Sequence, residues 1–251
     1  MLGSGGSIVQ PVVEQQRAVD LFLAGGNLRI DAYAGTGKTT TLRLLAASKP
    51  GRAFYLAFNR AIAAEAQQRF PAYVKCATTH SVAFRGVRKA LGYPEWKLTE
   101  PLTPNLILEA FRLPATISFH SGLVLEQRSY AAILRDGLNQ FLQSSDEAPT
   151  AVHVPCYGVL ETLTPEQFTN FAEQVSGHLG YLWAAMLDRS GGLPLGHDGY
   201  LKLWALSKPS AQADYIMVDE AQDLNPVLLD VLGRSRCQIV YVGDPYQQIY
   251  E

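Results

Sequence analysis

Ala32-Tyr-Ala-Gly-Thr-Gly-Lys-Thr39 is the segment whose residue types and spacing speak most directly of chemistry. Glycines at 35 and 37 let a backbone close around an anion, and a helix opening behind them would aim its N–H groups inward. In that setting Ala34, Gly35, Thr36, Gly37, Lys38, Thr39 and Thr40 form a phosphate-binding set. Lys38 is placed to reach β- and γ-phosphates and Thr39 to ligate Mg²⁺. The first position is Ala32 where the strict pattern has glycine, so the alternative is a glycine-rich strand–helix turn carrying a surface lysine. An acidic counterpart lies in Tyr215-Ile-Met-Val-Asp-Glu220, an apolar run that ends in two carboxylates. Asp219 would hold Mg²⁺ through water, and Glu220 would polarise an attacking water. Taken alone, such a pair is also what a solvated strand end looks like; the glycine loop upstream selects the chemical reading. A third apolar run, 238–242, leads into Gly243-Asp-Pro-Tyr-Gln-Gln248. That is a polar cluster where open α/β sheets place ligands, or else an ordinary Gly-Asp-Pro turn.

These groups need elements to hold them. The five short apolar runs 28–34, 53–58, 74–77, 215–218 and 238–242 read as strands buried on both faces of a parallel sheet. Helices are expected over 12–23, 39–48 and 59–70, the last with Asn59 as its cap and Pro71 as its stop. Strand–helix alternation of this kind implies right-handed βαβ units. From 86 to 195 the strand signal fades. Thr103-Pro104, and Thr164-Pro165 with Gln167, are helix starts, and 129–142 puts Tyr130, Ile133, Leu134, Leu138, Phe141 and Leu142 on one face. The expected organisation is a flexible leader over 1–10, a sheet domain over 11–85 plus 196–251, and a helical insertion over 86–195.

Composition narrows the classes. The chain has 251 residues, 47% hydrophobic and 18% charged, which excludes wholesale disorder and fibrous repeats. No apolar stretch approaches the roughly 18 residues of a bilayer span, and no signal sequence opens the chain, so an intracellular protein without a membrane partner is expected. Cys76, Cys156 and Cys237 form no CxxC pair, which points to reduced thiols. His153 and Cys156 could be half a zinc site, but no second pair follows at suitable spacing. The formal charge of −2 hides an asymmetry: residues 29–97 hold twelve Lys/Arg against Asp31, Glu65 and Glu95. Such a block can mark an anion-binding face. It also contains Tyr55, Phe58, Phe84, Tyr93 and Trp96, and single-strand tracks combine basic side chains with aromatic platforms. Core packing is the expected fate of most of these rings, Tyr55 included.

Together the segments resemble the helicases of superfamily 1, in the UvrD/Rep/PcrA branch. Glu14-Gln15-Gln16-Arg17 resembles the Q motif, and Ala32–Thr40 motif I. Phe58-Asn59-Arg60 resembles motif Ia, and Thr78-Thr79-His80-Ser81 motif Ib. Val218-Asp-Glu-Ala-Gln-Asp223 resembles motif II, and Gly243-Asp-Pro-Tyr-Gln-Gln-Ile-Tyr250 motif III. His197-Asp-Gly-Tyr-Leu-Lys-Leu-Trp204, with the motif II sequence, is most similar to the F-box DNA helicase branch.

The resemblance implies a RecA-like P-loop NTPase fold of the α/β class with a parallel sheet and an inserted helical subdomain, called 1B beside the ATP-binding domain 1A. It implies ATP and Mg²⁺ as cofactors, single-stranded DNA as partner, 3′→5′ movement, and a place in DNA repair or recombination at the nucleoid or in a nucleus. Lys38, Asp219, Glu220 and Gln247 would carry the chemistry, Gln16 would read the adenine, and Phe58, Asn59, Arg60, Thr78, His80 and Tyr250 would touch DNA. Thr79 stands where the family commonly has an aromatic, and Thr40-Thr41 where it often has an arginine. A second RecA-like domain with its arginine fingers is not in the sequence. Such a finger is worth about 10³–10⁵ in rate, so the chain alone is expected to be nearly inactive. Two other readings share these motifs: a non-catalytic module binding nucleotide and single-stranded DNA, and the motor half of a helicase–nuclease.

Overall fold

Successive elements run α1 (Val13–Ala24), β1 (Leu28–Asp31), α2 (Lys38–Ser48), β2 (Ala53–Ala57), α3 (Arg60–Arg69), β3 (Val74–Thr78), α4 (Thr79–Gly86), α5 (Glu95–Thr99) and α6 (Pro104–Phe111). They continue as β4 (Thr116–Ser118), β5 (Val124–Glu126), α7 (Gln127–Gln143), α8 (Pro165–Leu187), α9 (Gly196–Leu206), β6 (Tyr215–Val218), α10 (Pro226–Gly233) and β7 (Gln238–Gly243). This computed structural model describes residues 11–33, 35–120, 122–210, 212–244 and 246. The chain divides into a sheet unit of residues 1–81, 210–224 and 232–251, and a helical unit of residues 82–209 and 225–231.

In the sheet unit all five strands are parallel, in the order β1-β7-β6-β2-β3. One face buries Phe22, Leu42, Leu45, Tyr55, Ala63, Ala66, Tyr215, Met217 and Val240, supplied by the sheet and by α1, α2 and α3. The other buries Ile216, Val218, Ile239 and Leu232. The central strand β6 is buried at every position, as its unbroken apolar run implies. β1 departs from that expectation. It stops at Asp31, where the glycine loop begins, and alternates, with Arg29 and Asp31 exposed and paired at 2.8 Å. One side of β1 is left open to water at the edge of the sheet, which an apolar run of a few residues does not reveal.

The helical unit is built on α7 and α8. Tyr130, Leu134 and Phe141, on the face read from the sequence, lie in its core together with Phe171, Leu182 and Trp183. Thr164 and Gln167 cap α8 reciprocally, with Pro165 in its first turn. Two features differ from the sequence reading. A short antiparallel hairpin, β4 with β5, lies within the stretch read as wholly helical. Strands of three residues are too short to show a period of two. The stretch 196–209 was expected with the sheet domain, but it packs here: α9 buries Tyr200, Leu201 and Ala205 in the helical core.

Two lysines are buried among these helices. Lys97 donates to the carbonyls of Gly191 and Leu193. Lys202, 1% exposed, donates to the Ser144 carbonyl at 2.8 Å, with its ammonium 4.3 Å from the centroid of the Phe141 ring. Burial pushes Lys202 down to about 8, although Asp146 and Asp230 oppose the shift. The unfolded chain therefore keeps this proton to about pH 10.4 while the folded protein releases it near 8, so its contribution to stability rises with pH across that window. In thermal melts, wild type should gain on the order of 2–3 kcal/mol relative to Lys202→Met between pH 8 and 10.5. Parallel curves for the two proteins would refute this.

Candidate nucleotide-binding site

Every strand of the sheet is parallel, so every carboxyl end lies on one edge, where open α/β sheets bind ligands. Along that edge the strand order sets the loops after β1, β7 and β6 side by side, followed by those after β2 and β3. With strands about 4.8 Å apart, β1 and β6 lie roughly 10 Å from each other with β7 between them. A lysine in the turn that leads from β1 into α2 and a glutamate from the loop after β6 can meet across that gap, each covering part of it.

The loop after β1 has the conformation its glycines suggest. Gly35 (φ 76°) and Gly37 (φ 86°) occupy the left-handed region, which other residues enter only under strain. Thr36 closes the turn, its N–H and hydroxyl donating to the Tyr33 carbonyl at 3.2 and 2.6 Å. α2 starts at Lys38 with Gly37 as its cap, so its first-turn N–H groups open toward the loop. Thr39 and Thr40 are half-buried in that turn. Ala34 lies outside the described residues, as do Gln247 and Tyr250.

Lys38 Nζ meets both carboxylate oxygens of Glu220, at 2.9 and 2.8 Å, across 182 residues of sequence. Glu220 sits at φ 51°, ψ 48°, a left-handed conformation costing a non-glycine residue about 1–2 kcal/mol. Strain of this kind collects at functional sites. Beside it, Asp219 Oδ1 accepts from the Glu220 N–H at 3.1 Å and Oδ2 from the Tyr55 hydroxyl at 2.5 Å. Burial pushes the Asp219 carboxyl above its ordinary range, and the Tyr55 hydrogen bond opposes this.

Several contributors were not singled out in the sequence. The Gln222 amide donates to Glu220 Oε2 at 3.0 Å while its Oε1 accepts the Asp244 N–H at 3.1 Å, tying the loop after β6 to the loop after β7. Gly243 makes room for that bridge: a Cβ there would sit 2.4 Å from Gln222 Oε1 and 3.2 Å from the Ala221 and Gln222 nitrogens. Tyr33 and Tyr246 stack at 5.8 Å, again joining the loops after β1 and β7. Gln16 is exposed and donates to Asp20 at 2.9 Å. It is Gln15 that faces the phosphate loop, donating to Thr41 at 3.2 Å, with its Nε2 3.6 Å from where a Gly37 Cβ would stand. A Gln-Gln pair in sequence does not say which of the two faces inward.

The group implied by this set is a nucleotide with Mg²⁺. The donors fit: a threonine hydroxyl and a carboxylate are the hard oxygen ligands Mg²⁺ takes. Among the described residues no group of three His, Cys, Asp or Glu is placed to hold a metal ion. His153 instead pairs with Asp146 at 3.0 Å, so its spacing to Cys156 has a structural cause.

The candidates after β2 and β3 reach the same edge of the sheet. Phe58 is 54% exposed, Arg60 is exposed at the start of α3, and His80 is exposed. Asn59 and Thr78 have local work: Asn59 Oδ1 accepts from the Ile62 N–H at 2.9 Å, and the Thr78 hydroxyl, 7% exposed, accepts from the Ser81 N–H at 3.1 Å. Four members of the basic block are buried or paired with acids. Lys97 is buried, and Arg69, Arg29 and Arg88 pair with Glu65, Asp31 and Glu95. Of its aromatic residues, Tyr55 and Tyr93 are core while Phe58 and Trp96 are exposed.

The AAA domain family matches residues 15–251. The chain belongs to that family. This AAA domain has the RecA-like P-loop NTPase fold and resembles the UvrD-like superfamily 1 helicases. It is 35% identical over 249 residues to F-box DNA helicase 1 of Gallus gallus, covering 94% of the chain and 23% of that protein. It is 31% identical over 249 residues to F-box DNA helicase protein 1 of Schizosaccharomyces pombe, covering 94% and 28%. The AAA domain thus spans about a quarter of the length of these curated relatives. Among the described residues no helix is long and apolar enough to cross a membrane.

Proposed function

We infer that the chain is the first motor domain of an ATP-dependent helicase or translocase moving 3′→5′ on single-stranded DNA. The sheet unit corresponds to ATP-binding domain 1A and the helical unit to subdomain 1B. The observation that carries this reading is the meeting of Lys38 with Glu220, at 2.8 Å, beside Asp219 on the carboxyl edge of the sheet. The backbone of Gly35, Thr36 and Gly37 and the first turn of α2 bind the phosphates, and Lys38 donates to the β/γ oxygens. Thr39 and Asp219 hold Mg²⁺, which supplies neutralisation of phosphate charge when bound with nucleotide. Glu220 orients the attacking water and accepts its proton. Gln222 carries a change at Glu220 to the loop after β7, whose Gln247 links the phosphate to DNA. Phe58, Arg60 and His80 supply the exposed part of the DNA track, while Asn59 and Thr78 shape its backbone. The F-box DNA helicase relatives, matched over 94% of the chain, support DNA as the substrate.

The test is ATP turnover with and without single-stranded DNA, measured on residues 1–251 and on a protein that adds a second RecA-like domain. Strong DNA stimulation is expected only with the second domain. Robust stimulated turnover by residues 1–251 would contradict the reading of an incomplete site. No turnover in either would favour the non-catalytic module.

A further inference from the structure

We propose that Tyr55 is a positioning residue whose hydroxyl fixes the orientation of the Asp219 carboxylate toward Mg²⁺. The proposal rests on the nucleotide-site reading above and deepens it. Tyr55 lies in the middle of β2, in register with Met217 of the neighbouring β6, two residues before Asp219. Its ring is fully buried and stacks on Phe70 at 4.9 Å. Phenylalanine would supply that packing at no polar cost, since a buried phenol must find a partner. Here the partner is Asp219 Oδ2, at 2.5 Å. The other oxygen, Oδ1, is held by the Glu220 N–H at 3.1 Å.

The carboxylate is thus pinned through both oxygens, one from its own loop and one from the adjacent strand. Its rotation about the Cβ–Cγ bond is fixed before any ligand arrives. A carboxylate offers about four lone-pair directions, so two stay open for water or metal. Groups that hold a metal ligand in this way typically contribute 10–100-fold to metal affinity.

The probe is Mn²⁺ in place of Mg²⁺, bound to the full chain with ADP and followed by electron paramagnetic resonance. ADP affinity in EDTA is measured by calorimetry on the same samples. Tyr55→Phe keeps the ring on Phe70 and is expected to raise the Mn²⁺ dissociation constant about ten-fold, leaving metal-free ADP affinity and the circular dichroism spectrum as in wild type. In an Asp219→Asn background, adding Tyr55→Phe should cost nothing further, because the hydroxyl acts through the carboxylate. Unchanged Mn²⁺ affinity in Tyr55→Phe overturns the proposal, and so does an equal loss in the Asp219→Asn background. A Tyr55→Phe protein that fails to fold, or that loses metal-free ADP binding, makes Tyr55 a packing residue and equally overturns it. A wild-type chain that binds no ADP is a separate result and refutes the nucleotide-site reading itself.

Discussion

Lys38→Ala is expected to lower DNA-stimulated ATP hydrolysis by the two-domain protein at least about 10³-fold, equivalent to roughly 4 kcal/mol of transition-state stabilisation. The Lys38 ammonium is held beside the phosphate loop by both oxygens of Glu220. Its side chain is 13% exposed, so its charge acts in a partly dehydrated setting where electrostatic interactions exceed their value in water. Alanine removes the donor to the phosphates and also leaves the Glu220 carboxylate without its counter-ion, with the Gln222 amide still donating to it. Nucleotide binding should therefore weaken together with turnover. Steady-state kinetics and equilibrium nucleotide binding on the same preparation check this, and wild-type turnover in the variant would end the phosphate-loop assignment.

Glu220→Gln separates the two effects. The amide keeps the volume and can still meet Gln222, but it cannot take a proton, so turnover should fall about 10²–10⁴-fold. Binding should behave in the opposite way from Lys38→Ala. In the wild type an arriving phosphate must share Lys38 with the Glu220 carboxylate at 2.8 Å. With glutamine the opposing charge is gone and that competition weakens, so nucleotide should bind at least as tightly as to wild type. A variant with weak binding and normal turnover per bound nucleotide would show that Glu220 serves as an anchor and not as a base.

The parts of the site legible in the sequence were those in which local geometry dictates residue type. A loop needing two left-handed positions declares itself through Gly35 and Gly37, and a carboxylate pair behind an unbroken apolar run marks the end of β6. What escaped depends on which strand lies beside which. Tyr55 reads as one more apolar position, because nothing in its neighbourhood announces a partner 164 residues away. Gln222 and Gly243 acquire meaning only once β7 is seen to pair with β6. The charge block misleads for the same reason: proximity in sequence put Lys97 and Arg60 together, although Lys97 is buried in the helical unit. Alternation and apolar runs report how deeply a residue is buried, and carry little about what it meets there.

The placement of β7 between β1 and β6 also bears on how the protein is made. Among the described residues β1 finds its ladder partner only in β7, with Leu28 opposite Val240 and Asp31 opposite Gly243. The strand that carries the phosphate loop must therefore wait for more than two hundred further residues before it can be paired. Pairings so distant in sequence form slowly, and until they do, an open strand edge is a template for aggregation. The helical unit, whose contacts lie mostly within 82–209, can assemble meanwhile. Synthesis interrupted before residue 238 would leave a chain with its helices folded and its nucleotide strand still unpaired.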